Sequence, residues 1–155
     1  MAAQPDILAL LKKDHQALKD LFAKMEKTTE KGAATRVKLL DKIAKEIKAH
    51  STAEEETFYQ QFRAATESED NEEMYYEAHE EHHVVDLVLP ELLATDPATP
   101  VFAAKAKVLK ELVEHHMKEE EKEMFKQARE LFEREELRSI GEAFARRKRE
   151  VLKSL

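Results

Sequence analysis

Cysteine and tryptophan are absent from the 155 residues, and glycine and proline are scarce, at two and four. Without cysteine there is no disulfide framework, no thiolate zinc site and no thiol nucleophile. So few breakers leave long stretches free for helix. Runs of Val, Ile, Thr and aromatics alternating at period two are missing, which removes the signal for sheet. No stretch of about 20 apolar residues could span a membrane. The opening segment MAAQPDILALLKKDH lacks the basic start, apolar run and cleavage site of a secretory signal. A cytoplasmic location is therefore expected. The formal net charge is −7, which argues against nucleic acid as a partner, since that recognition draws on a clustered basic surface. The one basic run, Arg146 to Arg149, reads as the exposed face of a terminal helix.

What is present is charge and apolar residues in nearly equal measure, 38% against 42%, as amphipathic helices require. The length fits a single domain over residues 1–155. Leu8, Leu11, Leu18, Phe22 and Met25 recur at helical spacing and predict a first helix over about residues 6–27. Lys31-Gly32 marks a break, and Thr35 is the expected N-cap of a second helix reaching about residue 64. The polar stretch 67–71 reads as a turn. A third helix comes next, with Pro90 inside it to kink it or remove one backbone hydrogen bond. Residues 95–100 form the clearest loop, where Thr99 as cap and Pro100 at the first helical position start a fourth helix running to about residue 132. A fifth helix is expected over about 135–153, appended to one end or side. Short connections between long helices favour an all-α, antiparallel up-down four-helix bundle over about 6–132, with the additional C-terminal helix outside it.

Seven histidines in so short a chain call for an account. His50-Ser-Thr-Ala-Glu54-Glu55 is echoed 66 residues later by His116-Met-Lys-Glu-Glu120-Glu121. The spacing puts each imidazole and its glutamate on one helical face, one turn apart. At about 100° per residue, His116 and Glu120 fall within the apolar stripe of their helix. Glu54 falls inside its own stripe, with His50 near the edge. His15 borders the stripe of the first helix, and His82 lies beside Ala78, Val85 and Leu89. His79, His83 and His115 point away and read as solvated or as supports behind a ligand. The glutamate runs 54–56 and 119–121 read as solvated helix face beyond their one inward member. Each inward histidine sits near mid-helix, so alternating helices bring four imidazoles and two carboxylates to one level.

Burying that layer unpartnered would be costly, ionised carboxylates above all. A cation removes the cost, because neutral imidazole and carboxylate are its ligands. Such a set suits iron, manganese or zinc. Six ligands exceed the four of a structural zinc site, and two metals with Glu54 and Glu120 as bridges fit better. A ferritin-like arrangement would need Glu-x-x-His on two helices; only Glu80 to His83 has that spacing.

These segments, His50-x-x-x-Glu54-Glu55, Glu81-His82, His116-x-x-x-Glu120-Glu121 with Phe125, and His15 in Lys-Asp-His-Gln-Ala-Leu, resemble the HHE signature of hemerythrin-like domains. The resemblance covers about residues 6–132. It implies a non-haem pair of two iron ions, carboxylate- and oxo-bridged, held by His15, His50, Glu54, His82, His116 and Glu120. It also implies a small ligand or reactant: dioxygen, peroxide or nitric oxide. The sequence departs from the oxygen-carrying hemerythrins, which use His-x-x-x-His on the third helix and a longer histidine-to-acid spacing on the fourth. The pairs His79/His83 and His115/Glu120 have those spacings, but the inward faces favour His82 and His116. An open coordination position, or Glu81 as an extra ligand, would then replace the missing histidine. Tyr59, Tyr75 and Tyr76 read first as packing residues, with lining an entry path or hydrogen-bonding a ligand as the alternative. Sensing, storage or detoxification of a small oxidant is the leading function; an interaction module merely stiffened by metal is the alternative. No nucleophile constellation or phosphate loop assigns an enzymatic turnover.

Overall fold

The computed structural model describes residues 4–155. Asp6 caps the first helix, α1 (Ile7–Glu26), by accepting the Ala9 N–H at 2.9 Å. A short 3₁₀ turn (Glu30–Gly32) leads directly into α2 (Ala33–Glu54). Thr35 is therefore not the cap but lies inside the helix. The physical reason is Gly32, whose φ of −95° is one any residue adopts, so the glycine does not break the turn. A single turn of π-helix (Glu55–Tyr59) joins α2 to α3 (Gln60–Ala65), and the three form one rod.

Ser68 caps α4 (Glu69–Leu93), and Thr99, with Pro100 behind it, caps α5 (Pro100–Glu119). Pro90 lies in the last turn of α4, where the helix continues to Leu93 and the proline carbonyl still accepts from Ala94. A second π-turn (Glu120–Met124) joins α5 to α6 (Phe125–Leu131). The final helix, α7 (Arg134–Ser154), starts with a reciprocal capping box between Glu133 and Glu136.

The core shows the helix directions. Leu18, Phe22 and Met25 from the end of α1 pack with Leu40, Ile43 and Ile47 from the start of α2, Val85 and Leu89 from the end of α4, and Phe102 and Leu109 from the start of α5. The other cluster joins the start of α1 to Phe58, Tyr59 and Phe62, Ala78, and Met124, Phe125 and Ala128. Neighbours therefore alternate in direction, and the protein is an all-α antiparallel bundle. Between the two apolar clusters lies a polar layer at mid-bundle.

The C-terminal helix is more than an appendage. It lies along α1 and α2 and buries Leu137, Ile140, Phe144 and Val151. Gly141 makes the approach possible: a Cβ there would meet Ile7 N at 2.9 Å and Asp6 C and Pro5 O at 3.0 Å. Backbone cannot yield as a flexible side chain can. Gly141→Ala gains about 1 kcal/mol of helix propensity, but crowding of this kind costs about 1–3 kcal/mol. The variant is expected to melt lower than wild type. Gly32→Ala, with nothing within 4 Å of its Cβ, should melt at the same temperature or higher, and paired thermal scans decide both.

Candidate metal centre

The polar layer contains His15, His50, Glu54, His82, His116 and Glu120, all buried, with Glu54 and His15 fully so. These are the six residues singled out in the sequence. His15, His50, Glu54 and Glu120 each offer one ligand atom within 4.8 Å of the others, and Glu54, His82 and His116 form a second such group. Glu54 belongs to both groups. Glu120 reaches both as well, with Oε1 3.2 Å from His15 Nε2 and Oε2 3.5 Å from His116 Nε2.

Every imidazole presents Nε2 to the centre and turns Nδ1 to a carboxylate behind it. His15 Nδ1 lies 2.8 Å from Glu121, His50 Nδ1 2.9 Å from Asp14, and His116 Nδ1 2.8 Å from Glu81. His82 Nδ1 is 3.7 Å from Glu55. A carboxylate only accepts, so when His15, His50 or His116 is neutral Nδ1 carries the proton and Nε2 keeps a lone pair aimed inward. This is the support that metal-binding histidines ordinarily have. Glu81 stands behind His116 and so is not placed as an extra ligand. His83 is exposed, and the side chains of His79 and His115 are 49% and 63% exposed, so none joins the layer.

The arrangement has an approximate two-fold symmetry. It exchanges His15 with His82, His50 with His116, Glu54 with Glu120, Asp14 with Glu81, and Glu121 with Glu55. The outer carboxylates are the residues immediately before the histidines of α1 and α4 and immediately after the two glutamates. Both π-turns begin beside those glutamates, and the first of them re-aims a tyrosine. In an α-helix Tyr59 would stand about 140° around from Glu54. With an i to i+5 turn, five residues come round to nearly the same face. Tyr59 therefore points into the layer and hydrogen-bonds there, where packing alone is the first expectation. Its hydroxyl donates to Glu120 Oε2 at 2.6 Å and lies 3.2 Å from His116 Nε2. The ring stacks on His82, as Phe125, its partner in the repeat, stacks on His15.

The charges conflict when only protons are available. Burial, and then the Glu120 charge, push the Glu54 carboxyl well above its ordinary range. Glu120 goes the other way: burial opposes its charge, but the neighbouring His116 and His15 imidazoles hold it ionised. Burial opposes charge on His116 too, yet the Glu120 and Glu81 hydrogen bonds raise it to about 9. Burial lowers His50 to about 4, leaving it neutral. Even so, both Glu54 oxygens, Glu120 Oε1, His15 Nε2 and, on the outer side, His82 Nδ1 have no aligned hydrogen-bond partner. The 3.2 Å approach of Glu120 Oε1 and His15 Nε2 is proximity without hydrogen-bond geometry. Unpartnered buried oxygens and lone-pair nitrogens around one point are what a cation satisfies, so the residues present fit a metal.

Comparison with known proteins agrees with this geometry. The family model for the hemerythrin HHE cation-binding domain matches residues 6–128. A crystal structure of a hemerythrin HHE cation-binding domain-containing protein from Mycobacterium kansasii superposes with a TM-score of 0.84 at 27% identity, covering 97% of this chain and 89% of that one. A protein of Nostoc sp. named DNA nickase is 26% identical over 120 residues. The match takes in 77% of this chain but only 32% of that protein's length.

Proposed function

The chain belongs to the hemerythrin HHE cation-binding domain family, and from that premise we propose that its buried layer holds two iron ions and binds or reacts with a small oxidant: dioxygen, peroxide or nitric oxide. In this reading His15, His50, His82 and His116, together with Glu54 and Glu120, would hold the carboxylate- and oxo-bridged pair. The observation that carries it is the convergence of four imidazole Nε2 atoms and two carboxylates on one buried centre, three of the imidazoles hydrogen-bonded through Nδ1 to a carboxylate behind them. Bound there, such a pair supplies Lewis acidity and electrons for small-oxidant chemistry.

The chain's own residues supply the selectivity. A void of about 20 Å³ lies beside the layer, lined by His50, His82, His116, Leu18, Val85 and Val113. That is room for about one water-sized molecule, enough for a diatomic. Burial, and then the Glu120 charge, keep the Tyr59 phenol protonated well beyond its ordinary range. Its O–H thus stays committed to Glu120, with the oxygen beside His82 and His116. A cleft walled by Glu73, Glu77, Glu81 and Glu123 leads from solvent to His116 and Glu120.

The test is elemental analysis and an aerobic absorption spectrum of protein made in iron-supplemented cells. About two irons per chain are expected, with near-ultraviolet oxo-bridge bands that change on adding peroxide or nitric oxide. Glu54→Ala/Glu120→Ala should lose both iron and bands. Metal-poor protein, or loaded protein indifferent to all three ligands, would defeat the reading.

A further inference from the structure

Of the four outer carboxylates, Asp14 stands apart. Its Oδ2 faces His50 Nδ1 at 2.9 Å, while its Oδ1 accepts from Lys148 Nζ at 2.8 Å. The same ammonium also donates to Glu46 Oε1 at 2.6 Å. The Lys148 side chain is 17% exposed, so this is a largely dry contact. The two-fold mate of Asp14 is Glu81, which holds His116 in the same way. Among the described residues no lysine or arginine lies within 4.0 Å of Glu81, Glu121 or Glu55; an exposed His115 ring at 3.7 Å is what Glu81 meets instead. Lys148 comes from α7, beyond residues 6–128 matched by the family model.

A carboxylate behind an imidazole raises its basicity as a ligand by accepting its N–H. An ammonium bonded to that carboxylate draws charge away and weakens the effect. We propose that Lys148 is a positioning residue that makes the two ends of the centre unequal: by engaging Asp14, it leaves His50 a weaker electron donor than His116. The inference rests on the reading of the layer as an iron pair. The plain alternative is an ion pair that only fastens α7 to α1 and α2.

The full chain loaded with iron-57 separates the two by Mössbauer spectroscopy of the diferric state. In Lys148→Met, one quadrupole doublet should move and the other hold. Lys148→Arg should restore the wild-type doublet. Glu46→Gln commits the ammonium to Asp14 alone and should shift that same doublet in the opposite sense. Glu46 is only partly buried, so this variant carries the test if Lys148→Met does not fold. Arg147→Met, which loses a surface pair with Glu56, is the control that leaves both doublets in place. A lower melting temperature with both doublets unmoved, or both moving together, overturns the proposal while leaving the iron reading intact. Wild-type protein that takes up no iron-57 overturns both.

Discussion

Glu54→Met should make the metal-free protein more stable and, in the same molecule, abolish iron binding. The carboxylate is fully buried with neither oxygen in an aligned hydrogen bond. A buried unsatisfied polar group costs about 1–3 kcal/mol, and an apolar residue of similar volume removes that cost. For a chain of this size each kcal/mol moves the melting temperature by about 2–4 °C. Chelated Glu54→Met should therefore melt several degrees above chelated wild type. Iron should reverse the order, since a ligand at a hundred times its Kd adds about 2.7 kcal/mol to a protein that binds it and nothing to one that does not. Thermal scans with chelator and with ferrous iron, beside metal analysis, read both effects. A variant that is less stable without metal and still holds iron would make Glu54 an ordinary structural residue.

Raising the pH from 6.5 to 9 should weaken the metal-free fold and strengthen metal binding. His116 has a folded value of about 9 against an ordinary 6.5. Its charged form thus stabilises the fold fully below pH 6.5, and that contribution is lost as pH rises through 9. The shift corresponds to on the order of 3 kcal/mol. Glu54 acts in the same direction, because its raised carboxyl must ionise in a dry site as pH rises. The acid side differs. Glu120, held low, contributes above its ordinary range, and that part is lost as pH falls. Metal must displace the His116 proton, so affinity should rise about tenfold per pH unit for each proton displaced. Melting temperatures of chelated protein and anaerobic ferrous competition titrations across this window measure the two trends. Chelated stability that does not fall, or affinity that does not rise, would mean that His116 is not charged in the metal-free layer.

The bundle is legible in the sequence because its information is local. Apolar stripes at helical spacing, the Thr99-Pro100 start and the scarcity of breakers each specify one helix, and short connections do the rest. The inward layer is legible for the same reason: His50/Glu54 and His116/Glu120 lie one turn apart on apolar faces. The features that escape the sequence depend on departures from regular geometry or on contacts between distant segments. A constant 100° per residue turns Tyr59 away from the layer, and that constant fails within a π-turn. Glu55 and Glu121 look like solvated charges, Glu81 looks like a ligand, and Asp14 attracts no notice, although each adjoins an inward residue. A sequence signal for all four exists in Asp14-His15 beside Glu81-His82, and in Glu54-Glu55 beside Glu120-Glu121. Lys148 gives no signal, because its partner Asp14 lies 134 residues away. The Thr35 cap fails through a glycine that sits in a turn without needing positive φ.

The matched halves of the layer also part at one atom. Tyr59 and Phe125 occupy equivalent places, each stacked on a histidine, yet one ends in a hydroxyl and the other in carbon. The layer thus ends in a hydroxyl that donates to Glu120 on one side and in hydrocarbon on the other. An asymmetric ligand of the proposed iron pair would therefore find two chemically different ends, a front and a back.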